Sequence, residues 1–517
     1  MKTGVARARL FVLCGPLSVV ALLCPAILGA PAEPPPGRAP VQAGFAERDI
    51  TPALGMEQPG NYGKDYHRSF HDPCKVRAGV FDDGIKRVAI VGVDALAVPR
   101  HLVTKVRAGI EAKTGIPAGN ILVSASHSHS SGPLGMIQPG EYDHADELVK
   151  DLAYNHSTTA DPGYLLTVEK AIVDAVVWAD QNKVPAKLGF GRGEERQVAF
   201  NRRQKLKNGQ SWSHSGVGNP EIIDYAGPID PEVGVIAAWD LKDNLIGITV
   251  NYACHCTTNP GGISANWVQY LEQVIQGGLQ TRAPVVFLQG ACGDITQVDN
   301  LAKFTRPGGE AMSRFVGGRI GAEAIKVVLG LPTTTGATVD AKSRVWSIKR
   351  RVPNPDKVKA AREIVEQKKE AADPTTWAFS KETVLLDALI RKEPEAEVEV
   401  QTIQIGPAVL VSNPAEFFVE NGLRIKEESP FPFTWPVELA NGCTGYVPTE
   451  EAFLPSGGGY ETRLTSYSNL EITAGTQMTD TGIKLSKEHT PDPEPRFPEP
   501  PPFRAPWSYG NLGPELE

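Results

Sequence analysis

Cysteine is scarce in this 517-residue sequence and poorly placed for cross-linking. Of seven residues, Cys14 and Cys24 fall in the first thirty positions, leaving Cys74, Cys254, Cys256, Cys292 and Cys443. An odd number at irregular spacing is no disulfide framework, although a single bridge stays open for an exported chain. Cys254-x-Cys256 lacks the two-residue gap and partner pair of a zinc knuckle, so these thiols are expected to be small buried apolar residues. Dense Lys/Arg runs are missing too. With a net charge of -8, the chain carries no nucleic-acid footprint, and a mildly acidic surface implies solubility more than a partner. No glycine-rich phosphate loop, Walker pattern or dinucleotide fingerprint is present, which removes the common nucleotide chemistries. Internal repeats are absent, and beyond the first thirty residues no segment is apolar enough to span a bilayer.

The N-terminus has its own pattern. Lys2, Arg7 and Arg9 precede an apolar run over residues 10–28, which ends in Gly29-Ala-Pro-Ala32. Basic opening, apolar middle and small-residue end read as a signal peptide over 1–30, hence an exported protein, periplasmic or secreted. An uncleaved anchor is the competing reading, disfavoured by Pro16 and Pro25. Leu22 and Leu23 stand where a lipidation site at Cys24 would need small residues. Residues 31–42 form a proline-rich spacer, 491–517 a proline-rich tail, and 43–490 reads as one large domain. Hydrophobic residues at 41% and charged ones at 22% suit a body with a large core.

That body alternates between two periodicities. Buried strands are expected at 88–94, 121–125, 233–239, 246–253, 284–288, 398–405 and 408–411, with a turn at Asp82-Asp83-Gly84. Helices are expected at 101–113 (stopped by Gly115), 165–180 (Val173, Val176, Val177 and Trp178 on one side), 311–328, 357–371 and 381–391. The order implies an α/β or α+β fold, a mixed central sheet flanked by helices.

Four of these strands run straight into unusual polar groups. Residues 121–126 lead to His127-Ser-His129, 248–254 to His255, 285–288 to Gln289-Gly-Ala-Cys-Gly-Asp294-Ile-Thr296, and 409–411 to Ser412-Asn-Pro-Ala-Glu416. Strand ends present side chains from a rigid base. If these four converge, three histidines and a carboxylate meet. Two His, one Glu, a further oxygen ligand and an open position make a catalytic zinc set whose natural chemistry is hydrolysis. Each member also has a plainer reading. His-x-His can be two solvated loop residues, His255 a core histidine on a carbonyl, Glu416 the first-turn acid of a following helix, and Gly293-Asp294 a turn.

The ordered set Ser-Ala-Ser-His127-Ser-His129-Ser-Ser-Gly-Pro, Asn201-Arg202, His255, Gly293-Asp294-Ile-Thr296, Pro414-Ala-Glu416-Phe and Gly445-Tyr446-Val-Pro-Thr449 resembles the neutral/alkaline (non-lysosomal) ceramidases over about 43–475. The resemblance implies zinc held by His127, His255, Glu416 and Tyr446. It implies further that His129 and Arg202 bind and polarise the amide carbonyl and that Tyr460 adds a donor. The chain departs from the family in two places. Thr296 stands where the family carries a serine assigned as nucleophile, and its extra methyl crowds attack. Thr296 is therefore read as orienting, with a zinc-activated water attacking. In addition, the proline-rich tail stands where neutral ceramidases carry a β-sandwich domain. The expected function is a zinc-dependent amidohydrolase acting on an N-acyl lipid of ceramide type. The alternatives are an exported amidase or esterase on a non-lipid amide, and a secreted binding protein without turnover. No nucleic-acid partner is expected; membrane-surface contact and oligomeric state stay open.

Overall fold

The structure, a computed structural model, describes Met1 and residues 40–367, 372–510 and 512–517. The expected leader (Met1 apart), its Cys24 and most of the spacer lie outside the described residues. Contacts group the described residues from 40 up to Phe497 as one unit, and Pro498–Glu517 fall outside it. The described part of the latter holds neither helix nor strand.

The apolar runs form strands that are covered on both faces. In Arg87–Val93, Ala89, Val91 and Val93 turn to one core, Val88 and Ile90 to another. Ile121–Ala125 divides likewise, with Leu122 facing away from Ile121, Val123 and Ala125. So does Val285–Gln289, where Val286 and Leu288 oppose Val285 and Phe287. Side chains alternate along a strand, so a strand with no wet face reads as an unbroken apolar run.

These strands belong to a nine-stranded mixed sheet. Its order is Val285–Gln289, Leu245–Tyr252, Glu232–Asp240, Val184–Glu194, Gln42–Asp49, Lys75–Asp82, Arg87–Val93 and Ile121–Ala125, with Thr333–Thr334 alongside Val184–Glu194. Only the first pair and the last pair of that order are parallel. A second sheet runs Val339–Lys349, Glu395–Ile405, Ala408–Ser412 and Phe433–Val437. Helices Arg100–Thr114 and Pro162–Gln181 cover one half of the large sheet, and Trp267–Gly278 with Gly309–Val328 the other. One core lies between the two sheets. Val419–Glu428 and Ala474–Lys487 cover the small sheet's outer face. The result is four layers, helix–sheet–sheet–helix, and the mixed α/β class is as expected.

Some boundaries differ from the reading above. The apolar stripe of Pro162–Gln181 runs through Val168, Ile172, Ala175, Val176 and Ala179, leaving Trp178 47% exposed. The helix expected at 381–391 starts at Pro374, where Asp373 accepts the Thr376 N–H. The one expected at 357–371 spans Pro355–Val365, and 368–371 are not described. All five described cysteines are free thiols, four of them buried. Among the described residues, no helix is long and apolar enough to cross a membrane.

A buried ion network braces the large sheet against helix Trp267–Gly278. Arg77 donates to Asp94 at 2.8 Å and to Glu272 at 2.6 Å, all three within the core. Arg77→Met leaves the desolvated Asp94 without its cation and Glu272 with only the Lys75 ammonium at 3.3 Å. A loss of about 3–5 kcal/mol in urea unfolding is expected; a loss below about 1 kcal/mol would show that the network is not needed.

Candidate functional site

Backbone hydrogen bonds draw the four strand ends together. His129 N–H donates to Cys256 O, His255 N–H to Ile295 O, Gly293 N–H to Phe417 O, and Ala125 N–H to Leu439 O. Glu416–Phe417 is not the start of the following helix, which begins at Val419. It is a short strand whose parallel partner is Tyr446–Val447, and Glu416 stands opposite Tyr446. Close approach sets the glycine here, because a Cβ on Gly293 would lie 2.5 Å from Glu416 O. Asp294, read as a turn residue, is buried and accepts the Val419 N–H at 2.9 Å and the Asn201 amide at 2.7 Å. It thereby ties the loop to that helix start.

Convergence brings three buried side chains together. The His127 Nδ1–H donates to Leu96 O at 2.9 Å, and that of His255 to Cys292 O at 2.7 Å and Ile295 O at 3.0 Å. Each ring is thus turned so that Nε2 faces inward. Glu416 Oε2 lies 3.3 Å from His127 Nε2 and 3.1 Å from His255 Nε2. His129 Nε2 lies 3.2 Å from His127 Nε2, and the ligand atoms of the three histidines fall within 4.8 Å of one another. His127 holds φ at 62°, a left-handed conformation costing roughly 1–3 kcal/mol in a non-glycine residue and characteristic of functional sites.

These separations fit a metal ion. Two ligands each about 2.0–2.1 Å from a tetrahedral zinc stand roughly 3.3 Å apart. The chemistry fits as well, because two imidazole lone pairs and a carboxylate oxygen are all acceptors. With both Nδ1 protons committed to carbonyls, a cation among them would reconcile the three. Without one, burial lowers His127 but the Glu416 carboxylate outweighs it and raises the imidazole above its ordinary range. Burial, and then Arg202, push His255 down to about 3. Burial and the two neighbouring imidazoles hold His129 well below its usual range.

The other expected residues line the same cavity of about 610 Å³. Arg202 is buried, and its Nε donates to Glu461 at 2.8 Å, Nη2 to Gly293 O at 2.7 Å and Nη1 to His255 Nε2 at 3.0 Å. Its guanidinium lies over the rings of Tyr446 and Tyr460, whose hydroxyls are 3.1 Å apart. Thr296 Oγ1 donates to Gln297 Oε1 at 3.1 Å. Sequence reasoning did not find Glu461, although it adjoins Tyr460; nor did it find Gln297, His214, or the wall formed by Asn61, Tyr62 and Phe379. That wall is pinned from outside by the buried Lys381 ammonium, which donates to Tyr62 O at 2.6 Å. Gly60, at φ 103°, passes so close that a Cβ would sit 2.3 Å from His129 Nδ1.

The His255 shift carries a sign. Its folded value near 3 lies below the unfolded value of about 6.5, so between these the unfolded chain binds the extra proton. Stability is therefore lost as pH falls below about 6.5. The melting temperature of metal-free protein should drop from pH 7 to pH 4, and less steeply in His255→Gln; parallel curves would contradict a neutral buried His255.

No family model matches the sequence. A 229-residue segment, 42% of the chain, is 27% identical to neutral ceramidase of Pseudomonas aeruginosa, and it spans 30% of that relative's length. The crystal structure of neutral ceramidase from Pseudomonas aeruginosa is similar at a TM-score of 0.62 and 20% identity, over 89% of this chain and 77% of that one. A ceramidase complexed with C2 matches at 0.61 and 18%, with the same coverage. The chain therefore shares the fold of these ceramidase structures, and one segment of it is similar in sequence to neutral ceramidase.

Proposed function

We propose that the chain is a zinc-dependent amidohydrolase that cleaves the amide of an N-acyl lipid of ceramide type. The observation that carries the reading is the buried meeting of His127 Nε2, His255 Nε2 and Glu416 Oε2 at the floor of the cavity. His127, His255 and Glu416 would hold the metal. Tyr446, opposite Glu416, would be the fourth ligand. When bound, zinc would supply a Lewis acid and lower the pKa of a water.

The remaining roles belong to the protein. Were His255 Nε2 to hold the metal, the Arg202 Nη1–H now resting on it would be free to donate to the substrate carbonyl. Glu461 and Gly293 O keep the rest of the guanidinium in place. His129 stands beside that carbonyl as a neutral imidazole, and Tyr460 offers its hydroxyl. Donors fixed before reaction and aimed at developing negative charge lower the barrier for tetrahedral attack. Thr296, which spends its proton on Gln297, keeps its lone pairs to orient the attacking water. Leu96, Met136, Val298 and Phe379 give the cavity apolar area for a lipid chain. Asn61, Asn259 and Gln297 on the same cavity favour a second substrate class, a shorter or more polar amide. The N-terminal pattern supports export, and 43–490 would be the catalytic body.

The test is hydrolysis of a panel of N-acyl sphingoid bases and shorter amides by the full chain, with and without chelator. Turnover should vanish on chelation and return with zinc. Arg202→Met should keep zinc but lose about 10²–10³ in kcat, the scale of one oxyanion donor. Chelator-insensitive turnover would refute the metal role. Stoichiometric zinc with no turnover on any amide would leave a binding protein.

A further inference from the structure

Glu438 is an acidic residue outside the cavity, 0% exposed, at the end of strand Phe433–Val437. Three donors converge on its carboxylate. Oε2 accepts the backbone N–H of Cys292 at 2.9 Å and that of Phe417 at 2.8 Å, and Oε1 accepts the Cys292 thiol at 2.9 Å. Its own backbone joins two further strands, since its N–H donates to Gln289 O and its carbonyl accepts the Ser124 hydroxyl. A single residue therefore touches the ends of the strands that lead to His127 and to the Cys292 loop, and the segment that carries Glu416.

Two of those contacts adjoin the metal ligands. Cys292 O accepts the His255 Nδ1–H, so the residue that Glu438 anchors at its N–H and thiol fixes the ring of His255 at its carbonyl. Phe417, anchored by the same Oε2, directly follows Glu416. Burying this carboxyl group is costly and raises its pKa to about 8, and the two backbone N–H groups held by one oxygen offset that cost in part. No substrate or metal contact of its own accounts for it.

We infer that Glu438 is a positioning residue of the metal centre, clamping Cys292, whose carbonyl orients His255, to the peptide that presents Glu416 before any ion binds. This rests on the metal reading above. Glu438→Gln keeps the shape but replaces one acceptor oxygen with an amide NH2, while Glu438→Asp keeps both oxygens and withdraws them by one methylene. The full chain is stripped of metal and reloaded with cobalt(II), whose visible absorption reports ligand geometry.

Both variants should show an altered cobalt band and metal dissociation tenfold to a hundredfold faster than wild type, with Asp closer to wild type than Gln. A lower melting temperature with an unchanged band and unchanged dissociation rate would mean an ordinary structural residue and would overturn the inference. Wild-type protein that takes up neither cobalt nor zinc defeats the metal reading itself, an outcome visible before any variant is made. If neither variant folds, hydrogen exchange on metal-free wild type decides. Cys292 and Phe417 amides as protected as those of the adjoining strands support the clamp. Amides that exchange freely until metal is added overturn it.

Discussion

Desolvated acceptors that face one another set the terms for the rest of this structure. His127 Nε2, His255 Nε2 and the Glu416 carboxylate meet in the interior at 3.1–3.3 Å, and the Nδ1 protons that would relieve them are spent on Leu96, Cys292 and Ile295. Such an arrangement calls for positive charge: the Arg202 guanidinium donates to His255 Nε2 at 3.0 Å, and a cation or an extra proton on His127 would supply the rest. The surrounding geometry serves that meeting. Two strand ends of the large sheet and one of the small sheet supply the three side chains. The glycine at 293 lets the loop pass against Glu416 O. The left-handed backbone at His127 turns its ring inward.

Arg202 links this centre to the cavity above it. One face of its guanidinium is committed to Glu461 and Gly293 O, while the remaining donor rests on the His255 nitrogen that a metal would use. On the metal reading, ion binding and the availability of a carbonyl donor would be coupled through this one hydrogen bond. On the proposed reading, a chain without its ion is also a chain whose anion-stabilising group is occupied.

Much of this was legible in the sequence, and for identifiable reasons. Arg87–Val93, Ile121–Ala125 and Val285–Gln289 are sandwiched between cores, so their apolar runs were unbroken and the polar residues that followed stood out. His127, His255, Glu416 and Thr296 were found that way. Val339–Lys349 was not, because it is an edge strand with one partner and carries Lys342, Arg344 and Lys349 toward water. Nor was Ala474–Lys487, rich in Gly and Thr of low helix propensity; burial of Met478, Ile483 and Leu485 against the small sheet holds it. Glu461 and Glu438 act on residues 259 and 146 positions away, and no local pattern marks such partners. Family resemblance supplied Arg202, Tyr446 and Tyr460, whose surroundings in the sequence carry no periodic signal.

Zinc K-edge X-ray absorption on the purified full chain tests the central claim most directly. The account predicts one zinc per chain with a first shell of nitrogen and oxygen only, two imidazoles among them and no sulfur, even though Cys292 Sγ lies 3.5 Å from the His255 ring. A sulfur scatterer, or protein that cannot be loaded with zinc, would contradict it.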